Sequence, residues 1–372
     1  MGFGYACRRV KLLHFADLHL DAPFAWAPPE TARLRRRNRR QTLTRIVELA
    51  EEEQVDAVLC AGDLFEQERF TPDTVTFLRE TFARTELPVY LAPGNHDWYS
   101  SRSPYALVEW SPNVHRFTEA RLTPVELADG LTLWGAAHQG PANTGPFFAE
   151  FRPDRGGVHV ALAHASERSA LPFQGSGKEL HAPFDAAELD AAGISHAFLG
   201  HYHVARDRER YTYPGNPDPL EFGESEGRGV VLTTIGPNGS VERERRSVAV
   251  SQVHDLGVPL DGCHHLDDVR QRIAMSIAGL SGSVRVTLEG EVPAELSIDL
   301  AALTQLGEHL DGFVVRTGEL RPSYDLEAIH AEPTVRGQFA RDTLGIVDDE
   351  RRRKVLITGL RALEGRTDLE VA

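Results

Sequence analysis

Short apolar runs that each end in a cluster of polar residues restrict the fold of this chain more than any other feature. Three of these runs lie at 10–15, 55–60 and 89–91, and two more lie at 158–163 and 197–199. Short apolar runs bounded by turn residues are typical of buried strands. The clusters that follow them contain Asp, Asn or His in every case. The chain therefore predicts strands that end in side chains able to bind an ion.

Two helical stretches separate the first three strands. The segment 30–53 carries apolar residues near helical spacing, and the segment 72–84 is opened by Thr71 as a cap with Pro72 in the first turn. Alternation of strand and helix predicts a layered α/β domain. Such domains place their sites at the carboxyl ends of the strands. We therefore expect the polar clusters to meet at one edge.

The chain changes to a β-rich pattern at Tyr211. Strands are predicted at 211–213, 229–235 and 241–250, and the Asn238-Gly239 turn between the last two is a good hairpin signal. These strands complete the first predicted domain.

A second unit has a β-α-β-α-β pattern, and its second helix is predicted at 296–310. Apolar residues on one face of the segments after this unit predict further helices. The predicted organisation is a first domain at 1–250, a small α+β domain at 251–322 and a helical tail at 323–372.

Charge and cysteine content bound the class of protein. The formal net charge is -15, so the mean field repels polyanions, although local patches can still bind nucleic acid. Cys7, Cys60 and Cys263 lie far apart, which supports neither a disulfide framework nor a zinc knuckle and fits a reducing cytoplasm. No uncharged apolar run reaches the roughly 18 residues of a membrane helix. We predict a cytoplasmic protein without a membrane partner.

Pairs of polar residues follow the first and the last of the five apolar runs. Asp17 and His19 are two residues apart, so in an extended chain their side chains face the same way and can share one ion. His201 and His203 repeat this spacing. Each pair alone is also compatible with ordinary surface residues, and Asp63, after the second run, is equally compatible with a helix cap.

The conjunction of these clusters is more informative than any one of them. Asn95, His96 and Asp97 follow Gly94 in a tight turn, and His164 closes another strand. Without an ion, each of these buried polar groups needs its own partner. Two divalent cations satisfy them together, and with two aspartates and one hydroxide they leave a positive charge that suits a phosphodiester. Mixed nitrogen and oxygen ligands favour Mn, Fe or Zn over Mg or Ca, and we expect Mn.

The motifs D-x-H, G-D-L-F, G-N-H-D, a lone His and G-H-x-H occur here in the same order as in the calcineurin-like metallophosphoesterases. The residues 13–24 around the first motif resemble the SbcD nuclease branch, especially its YhaO-type members, and so do the segments 213–216 and 221–224. The resemblance covers about the first 235 residues. It implies a four-layer α-β-β-α sandwich, with 251–322 in the position of a capping domain.

The resemblance also implies a role for each motif residue. Asp17, His19 and His203 would bind one metal, and Asp63 would bridge to a second bound by the remaining ligands, Asn95, His164 and His201. A hydroxide between the metals would attack phosphorus in line.

The roles of the other polar residues follow less directly from the motifs. His96 would protonate the leaving oxygen or stabilise the transition state, while Asp97 would orient His96 or fix the turn. Several further histidines are predicted to be structural or surface residues, with His14 facing the site side of its strand: His14, His138, His159, His181 and His254.

Three functions stay open at this point. The branch implies an exonuclease or endonuclease in DNA end processing and repair. A small-molecule or cyclic-nucleotide phosphodiesterase would use the same metal chemistry, whereas the arginines that protein phosphatases place beside the second and third motifs are replaced by Phe65-Glu66 and Pro93-Gly94. The alternative of another class is a non-catalytic DNA-binding subunit of an SMC-like ATPase complex.

Arginines of the first predicted helix are the best local evidence for DNA binding. Arginine pairs well with phosphate, but a solvated helix face balanced by glutamates explains the run equally well. Trp98 and Tyr99 could stack on an unpaired base or pack in the core. The candidate DNA contacts are Arg33, Arg36, Arg37, Arg40, Trp98 and Tyr99.

The resemblance implies two kinds of protein partner. An SMC-like coiled-coil ATPase would dock on the tail, 331–372, unless that tail packs back on the capping domain. A homodimer would form through 72–84 and 103–110.

Overall fold

The computed structural model of the protein describes residues 9–173, 179–224 and 228–365. The chain divides into two compact units, Met1–His254 and Asp255–Ala372. Cys7 and the end of the predicted tail, 366–372, lie outside the described residues. None of the described helices is long and apolar enough to cross a membrane.

The described part of the first unit contains two sheets and several helices. Its strands are β1 Val10–Phe15, β2 Ala57–Cys60, β3 Val89–Leu91, β4 Val114–Arg116, β5 Thr123–Ala128, β6 Leu131–Gly135, β7 Val158–His164, β8 His196–Gly200, β9 Arg206–Asp207, β10 Tyr211–Tyr213, β11 Val230–Ile235 and β12 Val241–Arg246. Its helices are α1 Pro29–Glu52, α2 Pro72–Ala83, α3 Pro104–Leu107 and α4 Ala186–Ala191, with a 3-10 turn at Arg168–Phe173.

The two sheets have six strands each, in the orders β12-β11-β1-β2-β3-β4 and β5-β6-β7-β8-β10-β9. Strands β1 to β4 pair in parallel, as do β6, β7, β8 and β10. The sequence predicted the five strands that lead into the polar clusters and missed β4, β5, β6 and β9. β4 and β9 are short, and β5 is half-exposed. β6 is buried, but a threonine interrupts its apolar run.

Three hydrophobic clusters define four layers. Leu12, Leu59, Leu133, Leu162 and Phe198 belong to the cluster between the sheets. A second cluster joins the first sheet to α1 and α2, and a third joins the other sheet to α4. The first unit is therefore an α-β-β-α sandwich.

Helix α2 begins where the sequence predicted it. The Thr71 hydroxyl accepts a hydrogen bond from the Thr74 N–H at 3.2 Å, and Pro72 occupies the first turn, where no N–H is needed. In the segment after this helix, Tyr105 and Trp110 are buried, whereas Leu107 is 69% exposed. The face proposed for a homodimer therefore contains one large exposed apolar side chain in 103–110.

The second unit is built on the sheet β13-β14-β15. Its elements are β13 Val253–Pro259, α5 Leu266–Ile277, β14 Ser283–Pro293, α6 Leu300–Leu303, a 3-10 turn at Thr304–Gly307, β15 Gly312–Ser323, α7 Leu326–Ala331, α8 Val335–Thr343 and α9 Asp349–Leu363. The continuous helix predicted at 296–310 is wrong. Asp299 caps the N–H groups of Ala301 and Ala302, so the helix begins only at Leu300 and tightens into the 3-10 turn.

Candidate metal centre

All seven predicted metal ligands lie at the carboxyl ends of strands from both sheets. Asp17 and His19 follow β1, Asp63 follows β2, Asn95 follows β3, His164 ends β7, and His201 and His203 follow β8. Parallel pairing brings strand ends of each sheet to one edge. All but one of the seven are buried; His203 is half-buried.

The backbone around these residues is unusual. Four of them have φ in the left-handed region, namely Asp17 at 55°, His19 at 47°, Asp63 at 51° and His201 at 103°. Non-glycine residues adopt this region rarely. The Asp17 N–H donates to Gly62 O at 3.0 Å, and the His19 N–H donates to Asp63 O at 2.8 Å. The two strand ends therefore fix each other in a conformation that neither would favour alone.

The first group of ligands is Asp17, His19 and His203, whose candidate donor atoms all lie within 4.8 Å of one another. The buried Nε2 of His19 has no hydrogen-bond partner among the described residues and lies 3.6 Å from Asp63 Oδ2. An orphaned imidazole nitrogen beside two carboxylates fits a bound cation, because such an ion satisfies the nitrogen and neutralises the acids.

The second group converges on His164. Its Nδ1–H donates to Ala61 O at 2.9 Å, so in the neutral imidazole Nε2 carries the lone pair. That nitrogen lies 3.0 Å from Asn95 Oδ1 and 3.2 Å from Asp63 Oδ2. Three acceptors in contact repel one another unless a proton or a cation lies between them. This donor set also fits a divalent ion, and the same Asp63 oxygen lies 3.6 Å from His19 Nε2 of the first group.

Charge in this cluster shifts two pKa values. Burial would raise the pKa of Asp63, but His164, His96 and His19 together lower it well below its usual range. Burial would lower the pKa of His164, but Asp63 and Asp17, with the hydrogen bond to Ala61 O, together raise it. The pair therefore favours a carboxylate with a positive charge beside it.

Gly94 gives the third strand end its close approach to the ligands. A methyl group at this position would overlap the Asp63 carboxylate and the His164 imidazole. Asp97, three residues later, accepts hydrogen bonds from the N–H groups of Gly94 at 2.6 Å, Asp63 at 2.9 Å and Leu64 at 2.8 Å. Its carboxylate thus fixes the turn and ties it to the Asp63 strand end.

Two glutamates that the sequence analysis did not assign contact the histidines. Glu66 lies 2.7 Å from His19 Nδ1 and 3.0 Å from His96 Nδ1, and Glu224 lies 3.1 Å from His203 Nδ1. Burial would raise the pKa of Glu66, but hydrogen bonds from the two histidines lower it to about 2. Burial would likewise raise the pKa of Glu224, but His203, Arg228 and the Leu220 N–H together lower it. As carboxylates they accept from Nδ1–H and leave Nε2 for an ion.

His96 is the one predicted catalytic residue, and its side chain is 45% exposed. It lines an open cleft of about 770 Å³ together with four ligands, His19, Asn95, His201 and His203. A substrate in this cleft can therefore reach both His96 and the ligand cluster.

Two histidines predicted to be structural lie at the site. His138 Nε2 lies 2.6 Å from His164 O, and burial, followed by the charge of His164, lowers the pKa of His138 to about 3. His181 lines the cleft with its ring 5.1 Å from that of His201. His14, in contrast, packs against Phe198 between the sheets. No local motif marks His138 or His181, because only the folded chain brings them to the ligands.

Helix α1 divides its arginines between two environments. Arg35 and Arg39 are 1% and 0% exposed and donate to backbone carbonyls, Arg39 to Asp218 O at 3.0 Å. The four candidate DNA contacts of this helix line a second surface, together with Asp21, which lies two residues after His19. These four residues are Arg33, Arg36, Arg37 and Arg40. We call these four residues the arginine patch.

Trp98 and Tyr99 are half-buried and are not among the described residues that line the cleft. Tyr99 packs against the core beside the first sheet. Phe24 and Trp26, in contrast, line the cleft.

Comparison with known proteins gives a consistent result. The model of the calcineurin-like phosphoesterase family matches residues 10–205, more than half of the chain. The uncharacterized metallophosphoesterase YhaO of Bacillus subtilis is 28% identical over 254 residues, which cover 63% of this chain and 59% of that protein.

Two archaeal relatives are named as DNA double-strand break repair protein Mre11. The protein of Methanopyrus kandleri is 25% identical over 302 residues, covering 71% of this chain and 62% of the relative. That of Aeropyrum pernix is 28% identical over 237 residues, covering 58% and 55%. The chain thus spans less than two thirds of the length of each of these relatives.

Proposed function

Because the chain belongs to the calcineurin-like phosphoesterase family, we propose that it is a metal-dependent phosphodiesterase that cleaves DNA in end processing and repair. The observation that carries this proposal is that strand ends of both sheets bring Asp17, His19 and His203 into one group and Asp17, Asp63 and His164 into another, each with candidate donor atoms within 4.8 Å of one another. Asp63 Oδ2 lies 3.6 Å from His19 Nε2 and 3.2 Å from His164 Nε2, so this carboxylate suits two ions that share it.

Each ligand group would bind one ion. Asp17, His19 and His203 would bind the first, Asp63 would contribute to both, and the other ligands would bind the second, namely Asn95, His164 and His201. Bound divalent ions would polarise the phosphoryl oxygens and activate a water molecule for in-line attack. The mixed nitrogen and oxygen donors favour manganese, iron or zinc, of which we propose manganese.

His96 would assist departure of the leaving group. Its Nδ1 contacts Glu66 at 3.0 Å, which directs Nε2 to the opposite edge of an exposed ring. From the cleft, that edge can donate a proton to a leaving oxygen. Glu66 is therefore a positioning residue for His96 and for the ligand His19.

Two observations support DNA as the substrate. Two relatives are named as DNA double-strand break repair proteins, and DNA supplies the phosphodiester that this chemistry needs. The arginine patch lies beside the loop that follows His19, so it can neutralise backbone phosphates next to the cleaved bond.

Partners and location also belong to this proposal. Exposed apolar residues in the segments of the tail, Val335 at 75%, Leu344 at 59% and Val347 at 95% exposure, suit docking on the coiled coil of an SMC-like ATPase. The homodimer and the cytoplasmic location stay predictions, the latter supported by buried unpaired Cys60 and Cys263.

A manganese-dependent assay on duplex ends, hairpins, single strands and cyclic nucleotides tests the substrate. We expect cleavage of DNA, and cleavage restricted to cyclic nucleotides would overturn the proposal. Substitution of His96 by Asn in the same assay should reduce kcat by about 100-fold or more, and an unchanged kcat would remove His96 from the mechanism.

A further inference from the structure

One side of the cleft is apolar, although the ligand cluster itself is polar. Phe24, Trp26 and Leu220 line this side of the cleft that His96 and the histidine ligands also line. The ring of Phe222 lies behind Trp26, with ring centroids 4.5 Å apart, and the ring of Phe24 meets Trp26 edge to face at 6.4 Å. We call Phe24, Trp26 and Phe222 the aromatic wall.

The loop that carries Phe24 and Trp26 adopts a disfavoured backbone conformation. Phe24 has φ 47°, which is rare for a bulky residue. Its ring packs against two guanidinium groups, those of Arg35 and Arg39, at 5.3 Å and 5.5 Å from the ring centroid. Both arginines are buried and donate to the carbonyl of Pro219, so they anchor the loop to the segment that carries Leu220 and Phe222.

The proposed metal-dependent hydrolysis does not require this loop conformation or the aromatic wall. An unusual backbone conformation that the surroundings enforce is a feature of ligand sites. The ligand must present an apolar planar face to Trp26 while an anionic group reaches the histidines of the same cleft. A nucleotide combines the two, and aromatic side chains bind unpaired bases by stacking.

We propose that Trp26 forms a base-stacking subsite for the nucleobase next to the phosphate at the ligand cluster. This inference rests on the proposed function. A base within a duplex has both faces covered by its neighbours, so the subsite takes an unpaired base, as at a frayed end or in a single strand.

Binding measured without turnover tests the subsite. Calorimetric titration would compare a tetrathymidylate strand with the corresponding abasic strand, with calcium in place of manganese. We expect the wild-type protein to bind the strand with bases about fivefold or more tightly. Trp26→Leu should abolish this difference while retaining an apolar contact with Phe222, and Trp26→Phe should keep most of it.

Phe151→Leu is the matched control, because Phe151 is half-buried outside the described lining of the cleft, and it should leave the preference unchanged. Equal affinity of the wild-type protein for both strands, or an unchanged preference in a folded Trp26→Leu variant, would overturn the subsite. If the protein binds the strand with bases more tightly but cleaves no DNA with manganese, the subsite is upheld and the proposed nuclease activity is wrong. If it cleaves DNA but binds both strands equally, the nuclease activity is upheld and the subsite is wrong.

Discussion

The Glu66 carboxylate lies 2.7 Å from Nδ1 of His19. Its other oxygen lies 3.0 Å from Nδ1 of His96. One side chain thus orients a metal ligand and the proposed acid together. A carboxylate behind a ligating imidazole fixes the tautomer and raises the basicity of the ligand nitrogen.

Replacement of Glu66 by Gln should weaken both contacts, because an amide has a single acceptor oxygen and no charge. We expect manganese affinity to fall by about 10-fold or more. We also expect the fold-decrease in kcat to exceed the fold-change in KM. Manganese titration by calorimetry measures the first effect independently of turnover. Glu68→Gln, at an exposed position two residues away, is the matched control, and equal affinities of the two variants would contradict the role of Glu66.

Asp97 should contribute strongly to folding stability. It accepts three backbone hydrogen bonds and a fourth from the Tyr105 hydroxyl at 2.6 Å, although burial and Asp63 raise its pKa. Asp97→Asn leaves N–H donors facing an amide N–H₂ and should lower the free energy of unfolding by about 3–5 kcal/mol.

Tyr105→Phe removes only one of these bonds and should cost about 1–3 kcal/mol. Urea unfolding compares the two variants at the same pH. An equal decrease in the free energy of unfolding of the two variants would show that the backbone hydrogen bonds are not the main contribution of Asp97 to stability.

His196 should make stability depend on pH. Burial, followed by the charge of Arg243, lowers its pKa to about 3, whereas the unfolded chain titrates near 6.5. Below about pH 6.5 the unfolded chain therefore binds a proton that the folded chain does not bind. This residue should reduce the free energy of unfolding by about 1.4 kcal/mol per pH unit as the pH falls toward 3.

Urea unfolding of the wild-type protein and His196→Gln at several pH values between 7 and 4 isolates this contribution. The variant should show the shallower pH dependence. Parallel curves would mean that His196 titrates alike in both states.

The arginine patch should control the salt dependence of DNA binding. Arg33 and Arg37 are exposed, and each phosphate contact contributes about 0.9 to the slope of log K against log salt. The double variant Arg33→Gln, Arg37→Gln should reduce the slope by about 2. Arg84→Gln, an exposed arginine after α2, changes charge outside the patch and should leave the slope unchanged; a slope that the double variant does not alter would exclude the patch.

The sequence predicted the strand ends well, because Asp17, Asp63 and His164 directly follow apolar runs that alternate with helices. It did not indicate the contacts of Glu66 and Glu224, since these depend on how two loops meet in the folded chain. For the same reason His138 appeared to be an ordinary core residue.

Charge patterns were least informative about burial. Arg35 and Arg39 lie in the same run of arginines as the arginine patch. Only their tertiary packing against Phe24 distinguishes these two buried residues from the patch. Aromatic residues next to a motif were no better as a guide to the cleft. Trp26, seven residues beyond His19, lines it, whereas Trp98, two residues beyond His96, does not appear in its described lining.

Manganese titration of metal-free protein, with cleavage of single-stranded and duplex DNA as the readout, tests the central claim most directly. We predict no cleavage in the presence of a chelator and full activity at two equivalents of manganese per chain. Asp63→Asn should bind manganese more weakly and lose activity, because both ligand groups share this carboxylate. DNA cleavage that persists without metal, or that is complete at one equivalent, would contradict the dinuclear phosphodiesterase.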